Sequence, residues 1–190
     1  MKLVGLAGTN GSGKDTVGTL IAAKYNYLFV SVSDLLRIEL RKRGLPVIRD
    51  NTRMLSVEWR RELGVGVLVD KALELAEHSS HHYDGVVACP MRNVGEAQHL
   101  KNLGGTLIWV DADPKLRYER VQAADRGRAG EDNKTYEEFL AEEETEMHPP
   151  DPNDPTLLNG AGVKALADAT ILNESDLDSL QLSAEAVLGS

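Results

Sequence analysis

Near the start of the chain runs Gly8-Thr9-Asn10-Gly11-Ser12-Gly13-Lys14-Asp15-Thr16, a stretch whose glycines, lysine and hydroxyls are spaced for holding an oxyanion. Gly8, Gly11 and Gly13 lack the Cβ that restricts other residues, so consecutive backbone N–H groups can turn inward around a phosphate. A helix opening near Gly13 adds the positive end of its dipole, and Lys14 can reach the terminal phosphates of a polyphosphate chain. The pattern is GxxxxGK, yet Asp15 stands where Ser or Thr would follow, with Thr16 one place later. The candidates for anion binding are Gly8, Asn10, Gly11, Ser12, Gly13, Lys14, Asp15 and Thr16. Asp15 can hold a magnesium-bound water or simply complement the helix dipole, and the sequence leaves both readings open.

The chain carries arginines in several distant segments, and a guanidinium fork suits phosphate because it holds two oxygens at once; taken alone each can equally be a solvated surface charge. Arg37 follows Asp34 in "SDLLR" (33–37), and Arg92 lies in "ACPMRNVGEAQHLKNLGG" (88–105). Arg117, Arg120, Arg126 and Arg128 lie in "DPKLRYERVQAADRGRAGEDNKTYEEF" (113–139). Arg53, Arg60 and Arg61 sit on a further helical pattern, and which of them faces a ligand depends on helix phase. The run "EEETE" (142–146) reads as a solvated helix face.

The elements that must position these groups alternate in type. Apolar runs at 2–8, 28–32, 85–90, 106–112 and 169–173 lack polar alternation, as strands buried on both faces do. Between them, patterns of period near 3.6 span 14–25, 34–43, 51–63, 65–79, 94–103, 114–126, 135–146 and 176–188. Asp34, Asn93 and Asp113 before Pro114 are candidate helix starts. Such alternation predicts a parallel sheet with right-handed crossovers and helices on both faces. Up to three helices in the roughly fifty residues between the second and third strands predict an inserted helical lobe. Four of the seven prolines fall within 147–159, which predicts an irregular loop.

The bulk numbers set bounds. A chain of 190 residues, 27% charged and 42% hydrophobic, has the composition of one globular domain. With 30 acidic against 21 basic residues its net charge of −9 repels nucleic acid and anionic lipid, so an anionic ligand needs a local cluster of donors. The single Cys89 excludes an internal disulfide or a multi-cysteine zinc site. Residues 3–8 are too short for a signal-peptide core and no run approaches a membrane span, so the expectation is a cytoplasmic protein.

With a strand before it and a helix after it, the loop resembles that of the P-loop nucleoside monophosphate kinase superfamily, which includes adenylate kinases, dephospho-coenzyme A kinases and small deoxynucleotide kinases. In adenylate kinases the loop ends Gly-Lys-Gly-Thr, so the hydroxyl is displaced by one place there too. "SDLLR" is similar to the Thr-Gly-Asp-Met-Leu-Arg segment that opens their acceptor-binding lobe. This likeness implies that Arg37 holds the acceptor's phosphate and that Asp34 faces the magnesium hydration shell. "RNVGE" resembles the Arg-Asn-Pro-Gly-Glu stretch of deoxynucleotide kinase-like proteins, which places Arg92 at the acceptor phosphate. Relatives usually end the third strand with a magnesium-orienting Asp; here Ala88 and Cys89 stand instead, leaving Asp15, Asp34 and Asp111 as substitutes. Segment 113–139 resembles the lid, whose arginines, here Arg117, Arg120, Arg126 and Arg128, neutralise the transferring group. "ALADATILNESDLDSLQ" (165–181) is similar to the last strand and helix, and Gly160–Val163 before it would border the adenine.

The resemblance implies a three-layer α/β P-loop kinase fold with a five-stranded parallel sheet. Its core would be 1–33, 84–125 and 160–190, its acceptor-binding lobe 34–80 and its lid about 126–134. It further implies a monomeric enzyme using ATP and Mg2+ to phosphorylate a nucleoside or deoxynucleoside monophosphate, with Lys14, Arg92 and the lid arginines catalytic. Two alternatives stay open: hydroxyl phosphorylation of the dephospho-coenzyme A kinase kind, and a nucleotide-binding regulatory protein with weak ATPase activity.

Overall fold

A computed structural model describes residues 1–124, 134–151 and 153–189. In chain order the first part runs β1 (Lys2–Gly8), α1 (Lys14–Tyr25), β2 (Tyr27–Ser31), α2 (Val32–Lys42), α3 (Arg49–Leu63), α4 (Val67–Glu77) and β3 (Gly85–Met91). The rest runs α5 (Val94–Asn102), β4 (Thr106–Asp111), α6 (Pro114–Ala123), α7 (Tyr136–Met147), α8 (Gly160–Leu166), β5 (Ala169–Leu172) and α9 (Leu177–Leu188). The strands form one sheet in the order β2-β3-β1-β4-β5, and every pairing is parallel. The expected three-layer α/β fold with five parallel strands is the fold observed.

The missing polar alternation in the strands has a direct cause. In β3, Val86 and Ala88 join one core while Val87 and Cys89 join the other; in β4, Leu107 and Trp109 part from Ile108 and Val110 in the same way. Successive side chains point to opposite faces, and both faces are covered. On one side Val17 and Ile21 of α1 pack with Leu180 and Ala184 of α9. On the other, α2, α3, α4, α5 and α8 contribute Leu36, Trp59, Leu68, Leu100 and Val163. The central strand is β1, so the loop after Gly8 emerges where successive crossovers leave in opposite directions, the place where parallel sheets bind ligands.

Helix starts follow side-chain chemistry. Asn93 accepts from the Glu96 amide and Asp113 from the amides of Lys115 and Leu116, as their residue types predict. Asp34 is not a helix start: β2 runs directly into α2, and the Ser31 hydroxyl accepts from the Asp34 amide. The segment Gly160–Val163, expected as loop, opens helix α8, whose small residues give no apolar stripe to read. Helix α6 ends at Ala123, three residues short of the expected boundary.

A buried ion pair ties α3 to α5. Arg60 Nε donates to Glu96 Oε1 at 2.8 Å, and its Nη1 donates to Ser56 Oγ at 3.1 Å and to the Thr156 carbonyl at 2.9 Å. Burial raises the Glu96 carboxyl above its ordinary value against the opposing pull of Arg60. Removing one partner strands the other charge in the interior, so Glu96→Gln should destabilise the fold by about 3–5 kcal/mol in urea denaturation. Arg60→Met combined with Glu96→Leu should recover most of that loss, because neither charge is then left without its counter-ion.

Candidate functional site

The loop between β1 and α1 is pressed from two sides. Gly11 has φ 79°, and a Cβ there would lie 2.4 Å from the Arg117 carbonyl oxygen. Gly13 has φ 86° and is the N-cap of α1; a Cβ there would meet Asn173 Nδ2 at 2.1 Å. Both positions therefore require glycine on conformational and steric grounds. Asn173, just past the end of β5, donates from that Nδ2 to the Ser12 carbonyl at 2.9 Å and so fixes the loop from the neighbouring strand ends. No side chain caps α1, which leaves its first-turn amides for an anion.

Lys14 is buried and donates from Nζ to the Thr9 carbonyl at 3.1 Å. Burial, and then the charge of Arg92, lowers its ammonium below the ordinary lysine value. The Thr9 and Ser12 hydroxyls are buried with no hydrogen-bond partner. The orphaned Ser12 hydroxyl lies within the glycine turn itself and fits an oxygen of a polyphosphate, so the residues present suit such a chain.

Beside the loop opens a narrow cleft lined by Gly8, Thr9, Arg92, Trp109, Glu143 and Glu146, with Met91 and Met147 adding apolar walls. Its dominant feature is a knot of charge. Glu146 Oε2 accepts from Arg92 Nη1 at 2.7 Å, while its Oε1 accepts from Arg53 Nη2 at 3.1 Å and from Arg49 Nη2. Arg49 also pairs with Glu142 at 2.6 Å, and Glu142 accepts from Lys134 at 2.7 Å. Burial alone would raise the Glu146 carboxyl, but the charges of Arg92 and Arg49 outweigh it and hold the group far below the usual carboxylate range. The buried Arg117 donates from Nε to the Ala112 carbonyl at 2.8 Å and grips Glu143 with both terminal nitrogens.

The acidic run is therefore not a solvated face. Glu142, Glu143 and Glu146 turn inward, with side-chain exposures of 21, 19 and 14%, while Glu144, at 73%, and Thr145 face water. The usable signal was Phe139, which is buried: Phe139, Glu142, Glu143 and Glu146 follow the i, i+3, i+4, i+7 spacing of one inward stripe.

The other candidates divide. Arg37 pairs with Asp34 at 2.6 Å on α2, and neither lines the cleft. Arg120 has a buried Nη1 with no hydrogen-bond partner. Arg60 is consumed by Glu96 and Arg61 by Asp154, whereas Arg53, with Arg49 before it, reaches the same carboxylate as Arg92. Arg126 and Arg128 lie outside the described residues. Asp15 is exposed, and its Oδ1 accepts from the Cys89 thiol at 3.2 Å. Burial, followed by the Asp15 charge, pushes that thiol well above its ordinary value, so Cys89 acts as a donor that orients the carboxylate. Asp111 is engaged by Lys164 at 2.9 Å, Trp109 Nε1 at 3.1 Å and the Ala112 amide at 3.0 Å. Among the described residues no group of three or more His, Cys, Asp or Glu is placed to hold a metal ion. Magnesium bound to a nucleotide needs only one or two protein oxygens besides phosphate and water, and the Asp15 carboxylate with the Thr16 hydroxyl fits that demand.

A doubly covered parallel sheet with an uncapped helix after a glycine turn on its central strand defines a protein of the P-loop fold. The AAA domain family profile matches residues 7–137. A UPF0200 protein of Thermococcus sibiricus is 30% identical over 179 residues, covering 92% of this chain and 87% of that one. The chain belongs to the UPF0200 family and contains an AAA domain. Among solved structures, shikimate kinase from Bacteroides thetaiotaomicron superposes with a TM-score of 0.61 at 16% identity, covering 100% of this chain and 99% of that one. A gluconokinase from Sinorhizobium meliloti gives 0.52 at 19% identity, covering 99% and 91%. These likenesses establish the fold.

The charge knot has a pH signature. The folded-state pKa of Glu146 lies below its unfolded value of 4.5, so its stabilisation is complete above that value and is lost as pH falls below it. Denaturation free energy measured from about pH 6 down to about pH 3 should fall less steeply for Glu146→Gln than for the parent chain.

Proposed function

We propose that the chain is an ATP-dependent kinase that transfers the γ-phosphoryl group to a small phosphorylated acceptor, a nucleoside or deoxynucleoside monophosphate. The observation that carries this reading is the convergence of Arg49, Arg53 and Arg92 on one carboxylate beside the phosphate loop. Guanidiniums from two separate segments thus surround an anion next to the donor site, as transfer between two phosphates requires.

In this reading the loop amides and Lys14 hold the β and γ phosphates, and Arg92 with Arg53 and Arg49 holds the acceptor phosphate. An acceptor phosphate oxygen bonds to the γ-phosphorus as the bond to the ADP bridging oxygen breaks, so no side chain serves as nucleophile. Magnesium, when bound with ATP, would neutralise the phosphates, with Asp15 and Thr16 as its holders on the protein. Arg117, locked against the loop, adds positive charge near the transferring group. The helices of 34–80 form the acceptor-binding side, residues 126–134 with Arg126 and Arg128 the lid, and Arg120 and Arg37 supporting charges.

A second reading keeps the donor site and phosphorylates a hydroxyl, as the names of the shikimate kinase and gluconokinase neighbours suggest. It needs a general base, and Glu146, held far below the usual carboxylate range by its arginines, is a weak one. This reading therefore ranks second.

A coupled assay of ADP release across ribo- and deoxynucleoside monophosphates, dephospho-coenzyme A, shikimate and gluconate separates the two. Fast turnover is expected with a monophosphate. Lys14→Ala should lower it about a hundredfold or more through loss of charge on the transferring group. Arg92→Ala should remove acceptor-dependent turnover while ATP binding persists. Slow hydrolysis indifferent to every acceptor would sink the kinase reading.

A further inference from the structure

Glu146 and its three arginines hold one feature that the kinase reading does not absorb. The carboxylate belongs to the protein, yet it sits where that reading puts the ligand. Its two oxygens take donors from Arg49, Arg53 and Arg92, the arrangement a phosphate ester would offer through two of its own oxygens. In the same cleft the Thr9 hydroxyl, on a residue only 9% exposed, has no partner. A buried hydroxyl left without a bond beside a filled cradle marks a place where a further oxygen belongs.

We propose that Glu146 is a tethered competitor that occupies the acceptor's anion cradle and sets its specificity, admitting dianionic phosphate esters and rejecting monoanionic carboxylates. The inference rests on the kinase reading for the identity of the acceptor. Its physical basis is an exchange. An incoming carboxylate replaces one monoanion with another and gains nothing. A phosphate monoester brings nearly two negative charges and three acceptor oxygens, one more oxygen than Glu146 offers, and Thr9 supplies the donor for it. Glu146 then leaves with the C-terminal half of α7, which is tied to the cleft by these same ion pairs, by the Arg117–Glu143 contact and by Met147 packed against the core. Negative charge on the protein thus raises the threshold for binding without abolishing it, because the cradle holds three guanidiniums against the carboxylates of Glu146 and Glu142.

The test uses the full chain without ATP, at constant ionic strength, with inorganic phosphate and acetate as probes. In the parent protein phosphate should speed amide hydrogen exchange across residues 136–147, and acetate should not. Glu146→Gln should bind phosphate about tenfold more tightly by calorimetry, the change expected when one competing ion pair worth about 1.4 kcal/mol is removed. Glu144→Gln, an identical charge change at the exposed position of the same helix, should leave affinity unaltered. The inference is overturned if phosphate leaves exchange in α7 unchanged or slows it, or if the two glutamine variants bind phosphate equally. Should Glu146→Gln fail to fold, the exchange measurement on the parent chain decides alone. An inert acceptor panel would sink the kinase reading and leave this exchange standing, whereas brisk turnover with an unmoved α7 would sink the exchange alone.

Discussion

A phosphate-binding turn must hold its amides inward while the rest of the protein closes tightly around it, and this constraint organises the molecule. The turn leaves the central strand, and its glycines are met by the Arg117 carbonyl on one side and Asn173 on the other. Such approaches fix where α6 and the end of β5 can lie. With α6 placed, Arg117 spans from the Ala112 carbonyl to Glu143 and thereby seats α7 over the cleft. The position of the acidic helix is thus a consequence of the loop, transmitted through one buried guanidinium.

Charge is arranged in opposition to the average. A chain with a net charge of −9 gathers Lys14, Arg49, Arg53, Arg92 and Arg117 around one cleft. So many cations in a partly buried site repel one another unless counter-ions are built in. Glu142, Glu143 and Glu146 supply them, which explains why a run of glutamates is drawn away from water.

Much of this fold was legible because its signals are local. Apolar runs without polar alternation marked all five strands, and Asn93 and Asp113 marked helix starts because a short polar side chain ahead of a helical pattern readily takes its first free amides. The start of α2 was not legible, since Ser31 ends a strand and caps a helix at once, and α8 lacked an apolar stripe to reveal it. The phosphate loop was legible for the same local reason. The knot around Glu146 was not: its members come from α3, the end of β3 and α7, and nothing in a sequence pairs Arg49 with a residue 97 positions away. A glutamate run looks alike whether it meets water or arginine, and only the buried Phe139 distinguished the two.

The buried bridge between Arg60 and Glu96 gives α3 an unequal character along its length. Arg53 and Arg60 are seven residues apart on one helix, about 10 Å along its axis, so the end that reaches the cleft is a short cantilever rooted in the core. A beam clamped this firmly cannot pivot without tearing out its root. One jaw of the cleft is therefore stationary, and any opening stroke falls to the α7 side, whose Arg117–Glu143 bolt is less deeply sunk than Arg60–Glu96.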